Sequence, residues 1–456
     1  MRRNAASTSC GGRPVKLLAV GLNYRSASPE LLARATAGTT DIAAVLDELL
    51  GSFDIAEAMV VSTCNRVEMY TAVRGFHGAL NDVGTVLARQ CGVPLTQLAP
   101  GLYAHYADEA VRQLFKVASG LDSLVQGERQ VLGQLRAAYI TATKHGAVGS
   151  VLHEATQQAL RVGKRIHTEV MSSEPQPSIA EAALNLGESH LGSLVGASAL
   201  VVGAGDMGTA AAAALRGRGV DELRILSRSR ESAARLAATL CASHGILAEL
   251  DQALLGVDVV VCATSSPQYV LTPELATARL AQQRRLLIVD LAMPKDVAPL
   301  LAEIPGVRVI DLPGMARAVT AMPEATLSSA WRILSEEMAA FSAADRATSV
   351  TPIIVALRER AEDLMARELA WLTARQPQLE VAQQADVARA MRRLTKSLLH
   401  DPTVRVKQLA AADGSYYADA LRELFDLDVP TETAAAAIAA ASVGLAEYGR
   451  CAEVTR

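Results

Sequence analysis

A chain of 456 residues is too long for a single hydrophobic core, so two or three domains are expected. Half of the residues are hydrophobic and only 4% are aromatic, so alanine and leucine carry the apolar load, which favours helices. A formal charge of −4 excludes a generally basic nucleic-acid binder, six cysteines without a CxxC pair exclude a disulfide framework or a zinc ribbon, and no run reaches the roughly 18 apolar residues of a membrane span.

Residues 1–14 are rich in Arg, Ser and Ala and lack acids, but they run at once into an apolar strand, so a disordered arm is expected. Val15 to Leu22 predicts a strand. Pro29-Glu30 opens a helix, since a first-turn proline lacks only an N–H that would be unpaired there anyway. A second helix is expected over 40–50. Ala58 to Thr63 predicts a strand that delivers the chain to Cys64, and Glu68 to Val73 its hairpin partner. This βαβ-type opening with a following hairpin points to a small α+β domain, over 15–172.

From Asp108 the apolar spacing turns helical. The stretch Gly120 to Gln134 is interrupted by three glycines and sets Asp122, Ser123, Glu128, Gln130 and Gln134 between apolar residues. A close backbone approach and a plain loop with a helix cap both fit it. A long amphipathic helix follows, Val151 to Thr168. Glu174 to Ser178 is a proline-containing linker whose Ser178 can cap a helix. Strand and helix then alternate, with strands at Ala199–Val202, Leu223–Leu226, Val257–Ala263, Arg285–Asp290 and Val307–Ile310. That is a doubly wound parallel sheet, over 173–320. From 321 to 456 only helices are expected. A long one starts at Pro323, a cap and first-turn proline stand at Thr351-Pro352, and Ala434 to Ala441 has too weak an apolar face for a core helix.

Two motifs carry chemistry. A cysteine is nucleophilic only as the thiolate. Cys64 has a guanidinium two residues away, at Arg66, and donors in Ser62, Thr63 and Asn65. Downstream, Gly203-Ala204-Gly205-Asp206-Met207-Gly208 follows a strand and opens a helix, the context in which such a turn cradles a pyrophosphate. The next strand ends in Ser227-Arg228-Ser229-Arg230, where an NAD site would carry an acid; serines and arginines suit the 2′-phosphate of NADPH. Together they describe an acyl thioester on Cys64 reduced by NADPH. His77, His105 and His145 stand in no motif that would make one of them its acid–base partner.

Ser62-Thr63-Cys64-Asn65-Arg66, the Gly120 to Gln134 segment and the glycine-rich turn, in this order, resemble the glutamyl-tRNA reductase family. Asp290-Leu291-Ala292-Met293-Pro294-Lys295-Asp296 and Leu398-Leu399-His400-Asp401-Pro402-Thr403 extend the likeness over most of the chain. The resemblance implies a multidomain α/β fold: an N-terminal catalytic domain, a Rossmann-type NADP domain and an all-α dimerisation domain on a long spinal helix, paired as a V-shaped homodimer. It implies attack of Cys64 on glutamyl-tRNA(Glu), then reduction by NADPH to glutamate-1-semialdehyde, the start of the five-carbon route to tetrapyrroles. A glutamate-1-semialdehyde aminotransferase is the implied partner, and the cytoplasm the implied location. Thr63, Asn65 and Arg66 would line the glutamate site, Arg66 by its bidentate fork. Ser123, Glu128, Arg129, Gln130 and Gln134 would hold the substrate. Gly203 to Gly208, with Ser227 and Arg228, would hold the cofactor, and Arg392-Arg393-Lys396 with Arg405-Lys407 would offer tRNA a local basic surface.

This chain departs from the family pattern at four places. Gln113 stands where a histidine is usual in the catalytic domain, and glutamine cannot carry a proton near neutral pH. Arg129 replaces a proline, Tyr24 stands where histidine is common, and His167 stands for an arginine. Two other readings keep most of these residues. One is a non-catalytic homologue that binds tRNA or a partner enzyme; the other is a reductase of a different acyl thioester, or a second copy serving a specialised pathway.

Overall fold

The computed structural model describes residues 15–63, 65–171, 177–264, 266, 268–282, 284–312, 314–315, 322–413 and 416–427. Cys64, the arm 1–14, most of the linker before Ser178 and the alanine-rich segment 434–441 lie outside the described residues. By its contacts the described chain divides into two compact units, 15–334 and 335–427.

The first unit opens with strand β1 (Lys16–Asn23), helices α1 (Pro29–Gly38) and α2 (Ile42–Leu50), and strands β2 (Ile55–Ser62) and β3 (Arg66–Val73). Helices α3 (Phe76–Cys91) and α4 (Leu95–Leu98) lead to strand β4 (Tyr103–Tyr106). Ser28 caps α1 by accepting from the Leu31 amide, with Pro29 in the first turn. The sheet order is β2-β3-β1-β4, with every pairing antiparallel. The expected βαβ opening is therefore split: β3 lies between β1 and β2, which do not touch. A three-residue hairpin loop makes β3 the neighbour of β2, and a ferredoxin-like βαββαβ order results. The strand β4 had no clear sequence signal, because its four residues Tyr-Ala-His-Tyr are too few to show a period.

Helices α5 (Asp108–Ala118), α6 (Gln130–His145) and α7 (Ser150–Glu169) complete this half. Glu57, buried on β2, accepts from the Val151 and Leu152 amides at 3.2 and 2.7 Å, so a strand carboxylate caps the start of α7. The sheet interior includes Leu18, Val20, Met59, Met69 and Tyr70, all essentially inaccessible. Each such apolar side chain contributes roughly 1.5–3 kcal/mol by burial.

Helix α8 (Ile179–Leu191) begins in a full capping box, Ser178 with Glu181. There follow β5 (Ser198–Val202), α9 (Asp206–Gly217), β6 (Glu222–Ser227), α10 (Arg230–Leu240), β7 (Ser243–Ile246), α11 (Leu250–Ala253), β8 (Val259–Cys262), α12 (Pro273–Leu280), β9 (Leu286–Asp290) and β10 (Val307–Asp311). The six strands are all parallel, in the order β10-β9-β8-β5-β6-β7. The order reverses at β5, so the doubly wound architecture holds. The sequence reading missed β7, another four-residue strand at the sheet edge.

Beyond Leu312 the described chain is helical: α13 (Glu324–Ser349), α14 (Thr351–Arg375), α15 (Val381–Asp413) and α16 (Tyr416–Leu424). The cap expected at Thr351 is not there. Val350 is the N-cap residue, it keeps right-handed helical dihedrals, and no side chain caps this helix. The preceding helix ends only one residue earlier, so the backbone carries its direction through without a separate start signal. In the second unit Ile353, Ile354, Leu357, Val406 and Ala410 form a shared core between α14 and α15. Among the described residues no helix is long and apolar enough to cross a membrane.

Candidate active site

The β2–β3 hairpin turns between Thr63 and Asn65. The Thr63 amide donates to the Arg66 carbonyl at 2.9 Å, and the Asn65 amide to Thr63 Oγ1 at 3.2 Å. Strand pairing resumes with Ser62 opposite Val67 and Asn23 opposite Arg66. The hairpin is tied to α1 through Thr36 Oγ1, which donates to the Thr63 carbonyl at 3.2 Å.

Residues 66, 68 and 70 alternate onto one face of β3. Glu68 is fully inaccessible and takes four donors. Arg66 Nη1 donates to its Oε1 at 3.0 Å, Gln113 Nε2 at 3.1 Å, and the Tyr103 hydroxyl reaches the same oxygen. The Tyr70 hydroxyl donates to Oε2 at 2.6 Å. Asp122 closes the network: Arg66 Nη1 lies 2.9 Å from its Oδ2, Gln113 Nε2 lies 3.1 Å from the same atom, and Arg66 Nη2 donates to the Asp122 carbonyl. Burial works against the Arg66 charge, but Glu68 and Asp122 outweigh it and hold the guanidinium firmly charged. Burial and the nearby Glu68 push the Tyr70 and Tyr103 hydroxyls up, so both stay protonated donors.

This changes the part expected of Arg66. Its fork is occupied by two protein carboxylates and a main-chain carbonyl, so it locks the hairpin to the 120–129 loop before any substrate carboxylate can claim it. Gln113, unlike Arg66, is not on the cavity wall. It bridges Glu68 and Asp122 through a single amide nitrogen, as a neutral donor.

The loop after α5 folds back on itself. The Gly127 amide donates to the Gly120 carbonyl at 2.9 Å, and a Cβ at Gly120, whose φ is +71°, would lie 2.8 Å from the Glu128 carbonyl oxygen. The close approach expected here is thus made at Gly120, to its own loop, whereas a Cβ at Gly133 would meet nothing within 4 Å among the described residues. The result is a small cavity, about 10 Å³, lined by Thr63, Asn65, Arg66, Ser123, Glu128 and Gln130, with Gln134 and apolar Leu124, Val131, Ile179 and Met207 beside them. That volume is on the order of one water. Three buried polar atoms on its wall have no hydrogen-bond partner among the described residues: Asn65 Oδ1, Ser123 Oγ and Glu128 Oε1. Buried polar atoms are rarely left so, and such a group marks a ligand or water position. Burial raises the Glu128 carboxyl to about 7, against the Ile179 amide and Arg66, which pull it down.

Seven residues expected at the substrate therefore meet on one wall. Arg129 does not; its side chain is exposed. Tyr24 donates to the Ser123 carbonyl at 3.3 Å, and Arg25 pairs with Asp122 at 3.5 Å. His167 is buried on α7 with neither ring nitrogen partnered among the described residues, and burial with the nearby Arg129 pushes it down to about 4. Glu68, Asp122, Tyr70 and Tyr103 were missed as site residues. One signal was readable, an Arg-x-Glu-x-Tyr alternation on a single strand face.

At the glycine-rich turn, Gly203 has φ +115° and a Cβ there would lie 2.3 Å from the Ala263 carbonyl oxygen. A Cβ at Gly208 would lie 2.0 Å from the Gly203 carbonyl oxygen, whereas nothing stands within 4 Å of one at Gly205. The turn is pressed onto the sheet on one side and open on the other. Gly205 caps α9 without a side-chain acceptor, which leaves first-turn amides such as that of Asp206 for an anion. Ser227 ends β6, Arg228 is exposed beside it, and these residues fit a dinucleotide. Met207 of this turn also lines the cavity described above, so the two predicted sites adjoin. In the loop after β9, Asp290 accepts from the Ala292 and Val297 amides, each at 3.1 Å, which makes that acid a loop clamp. Arg392, Arg393, Lys396, Arg405 and Lys407 are all exposed on α15.

Residues 20–170 match the family model described as glutamyl-tRNAGlu reductase, N-terminal domain, residues 185–318 that of shikimate / quinate 5-dehydrogenase, and residues 329–427 that of the glutamyl-tRNAGlu reductase dimerisation domain. A glutamyl-tRNA reductase of Salinispora arenicola is 45% identical over 91% of this chain and 93% of its own. One from Salinispora tropica is also 45% identical, over 92% and 94%. The solved structure of glutamyl-tRNA reductase from Methanopyrus kandleri is 27% identical, covers 90% of this chain and 99% of its own, and superposes with a TM-score of 0.43. The chain thus joins a dehydrogenase-type domain for a nicotinamide cofactor to a dimerisation domain, and it belongs to the glutamyl-tRNA reductase family.

Proposed function

We propose that this chain reduces glutamyl-tRNA(Glu) to glutamate-1-semialdehyde, with Cys64 as the nucleophile. The observation that carries this reading is the wall of three unpartnered buried polar atoms, on Asn65, Ser123 and Glu128, beside the hairpin that bears position 64 and against Met207 of the cofactor turn. The Cys64 thiolate attacks the ester carbonyl of the charged tRNA, a C–S bond forms, and the terminal ribose oxygen leaves with a proton. NADPH, when bound, supplies the hydride for the acyl carbon, and the aldehyde departs as the C–S bond breaks and the thiolate returns.

The chain's own groups set the rest. Arg66, its charge compensated by Glu68 and Asp122, serves by fixing the hairpin against the 120–129 loop. Asn65, Ser123 and Glu128 offer oxygens to the ammonium of the glutamyl group, with Gln130 and Gln134 as amide donors and acceptors beyond them. The cavity has to widen to take an aminoacyl group, and the 120–129 loop, like Thr63 and Asn65 of the hairpin turn, is wall without regular structure. The end of β6, with Ser227 and Arg228, favours NADPH over NADH through the 2′-phosphate. The five cationic side chains on α15 offer a phosphate surface to tRNA. The aldehyde is reactive, so an aminotransferase that accepts it directly is the expected partner, in the cytoplasm. No observation favours a non-catalytic homologue.

The test is incubation with glutamyl-tRNA and NADPH while semialdehyde is followed. Product is expected, together with a glutamyl adduct on Cys64 by mass spectrometry. Cys64→Ser is expected to abolish turnover and keep NADPH binding. Absence of both product and adduct in the unmodified chain refutes the proposal.

A further inference from the structure

The parallel pairing of β6 and β7 puts Ser227 opposite Ile246, so the chain leaves β7 beside the end of β6. The next turn, Leu247–Glu249, thus stands at the carboxyl edge of the sheet, where open α/β sheets bind their ligands. There one carboxylate holds two arginines. Glu249 Oε1 lies 2.9 Å from Arg230 Nη2, and its Oε2 lies 2.7 Å from Arg224 Nη2. Arg230 is the first residue of α10, directly after the Ser227-Arg228-Ser229 run, and Ser229 caps that helix.

This carboxylate is seated. A Cβ on Gly245 would lie 2.3 Å from Glu249 Oε2, so the oxygen rests against bare backbone of β7. The Ile246 backbone bonds it as well. A swinging surface pair would need neither the missing side chain nor the third contact.

A 2′-phosphate arriving at the end of β6 carries about −1.5 to −2 charges. It meets an arginine already engaged by a carboxylate, and the carboxylate repels it. A 2′-hydroxyl at the same place has no charge and is nearly indifferent to both effects. We infer that Glu249 is a specificity-determining residue that restrains binding of the 2′-phosphate by holding Arg230, and so sets how strongly the site prefers NADPH over NADH. The inference rests on the reading of this domain as an NADPH site.

The experiment measures dissociation constants of NADPH and NADH by nicotinamide fluorescence on the full chain, at low and high salt. Glu249→Gln keeps the side chain's shape and removes its charge. It is expected to tighten NADPH about fivefold at low salt, as one unit charge a few ångströms away does in a water-exposed site. NADH is expected to change less than about twofold, and the NADPH gain to shrink as salt screens it. In an Arg230→Met background the gain is expected to shrink to about two- to threefold, because relief of direct repulsion remains while the arginine is no longer there to release. An unchanged or smaller preference for NADPH in Glu249→Gln overturns the inference, and so does an undiminished gain without Arg230. The cofactor reading is judged separately, on the unmodified chain: equal affinity for NADPH and NADH refutes it. A preference for NADPH that appears only in Glu249→Gln would still support the role of Glu249.

Discussion

Glu68→Gln tests whether the buried network holds the hairpin. Glu68 is fully inaccessible and accepts from Arg66 at 3.0 Å, Gln113 at 3.1 Å, Tyr70 at 2.6 Å and Tyr103. An amide of the same shape keeps one acceptor oxygen and turns the other position into a donor that faces donors. Removing one partner of a buried ion pair costs about 3–5 kcal/mol when the remaining charge is left alone. Here Asp122 still pairs with Arg66 at 2.9 Å, so the charge term falls toward the lower end. The tyrosine hydroxyls can rotate to accept, at a cost of about 1 kcal/mol for each bond degraded. A net loss of about 3 kcal/mol is expected in the stability of the catalytic half. Native-state hydrogen exchange of the β3 amides reads this locally, which matters because a multidomain chain does not unfold as one two-state unit. Turnover is expected to fall with it, because Arg66 loses its fixed position. A loss under about 1 kcal/mol with turnover unchanged would refute the view that this network positions Arg66.

Gln113→His places an imidazole where one amide nitrogen now contacts Glu68 and Asp122, at 3.1 Å each. Two carboxylates favour the imidazolium, so the new histidine is expected to titrate above its ordinary value. If position 113 moves protons, turnover rises tenfold or more; an unchanged or lower rate means that another group already does so. Glu128, raised by burial to about 7 from an ordinary 4.5, binds its proton more tightly folded than unfolded. Its contribution therefore favours the fold at low pH and is lost as pH rises from about 4.5 to 7, by at most about 3 kcal/mol. Glu128→Gln removes that loss, so its stability relative to the parent chain is expected to improve between pH 5 and pH 8 in chemical denaturation, while its KM for glutamyl-tRNA increases. A pH-independent stability difference would refute the assignment of the buried carboxyl.

What could be read along the chain were features whose cause lies within a few residues. The Ser178 cap, the first-turn Pro29, and the glycine turn at Gly203 to Gly208 each express a local rule, and each stands where expected. The same holds for the division into an α+β domain, a parallel sheet and a helical end, because apolar periods of two and of 3.6 differ over ten residues. Short edge strands escaped: β4 and β7 have four residues each, and one period of alternation is no pattern. Thr351 was misread because a cap motif has no function where a preceding helix already supplies the direction.

Sequence by itself determined the chemistry on offer, a cysteine flanked by donors and a dinucleotide turn. Tertiary structure alone decided what each polar residue does with it. Arg66 and Asp122 are 56 positions apart, Gln113 and Glu68 are 45 apart, and neither separation can be read as a contact. Insertion of β3 between β1 and β2 brings Arg66 and Glu68 under Gln113 and against the 120–129 loop. There, low dielectric makes an unpaired charge costly enough that the nearest donors and acceptors must close on it. That closure takes the fork of Arg66 away from the substrate, leaves Asn65, Ser123 and Glu128 unpartnered on the cavity, and sets Met207 beside them. The same logic seats Glu249 between Arg224 and Arg230, a pairing that exists only because two parallel strands end side by side.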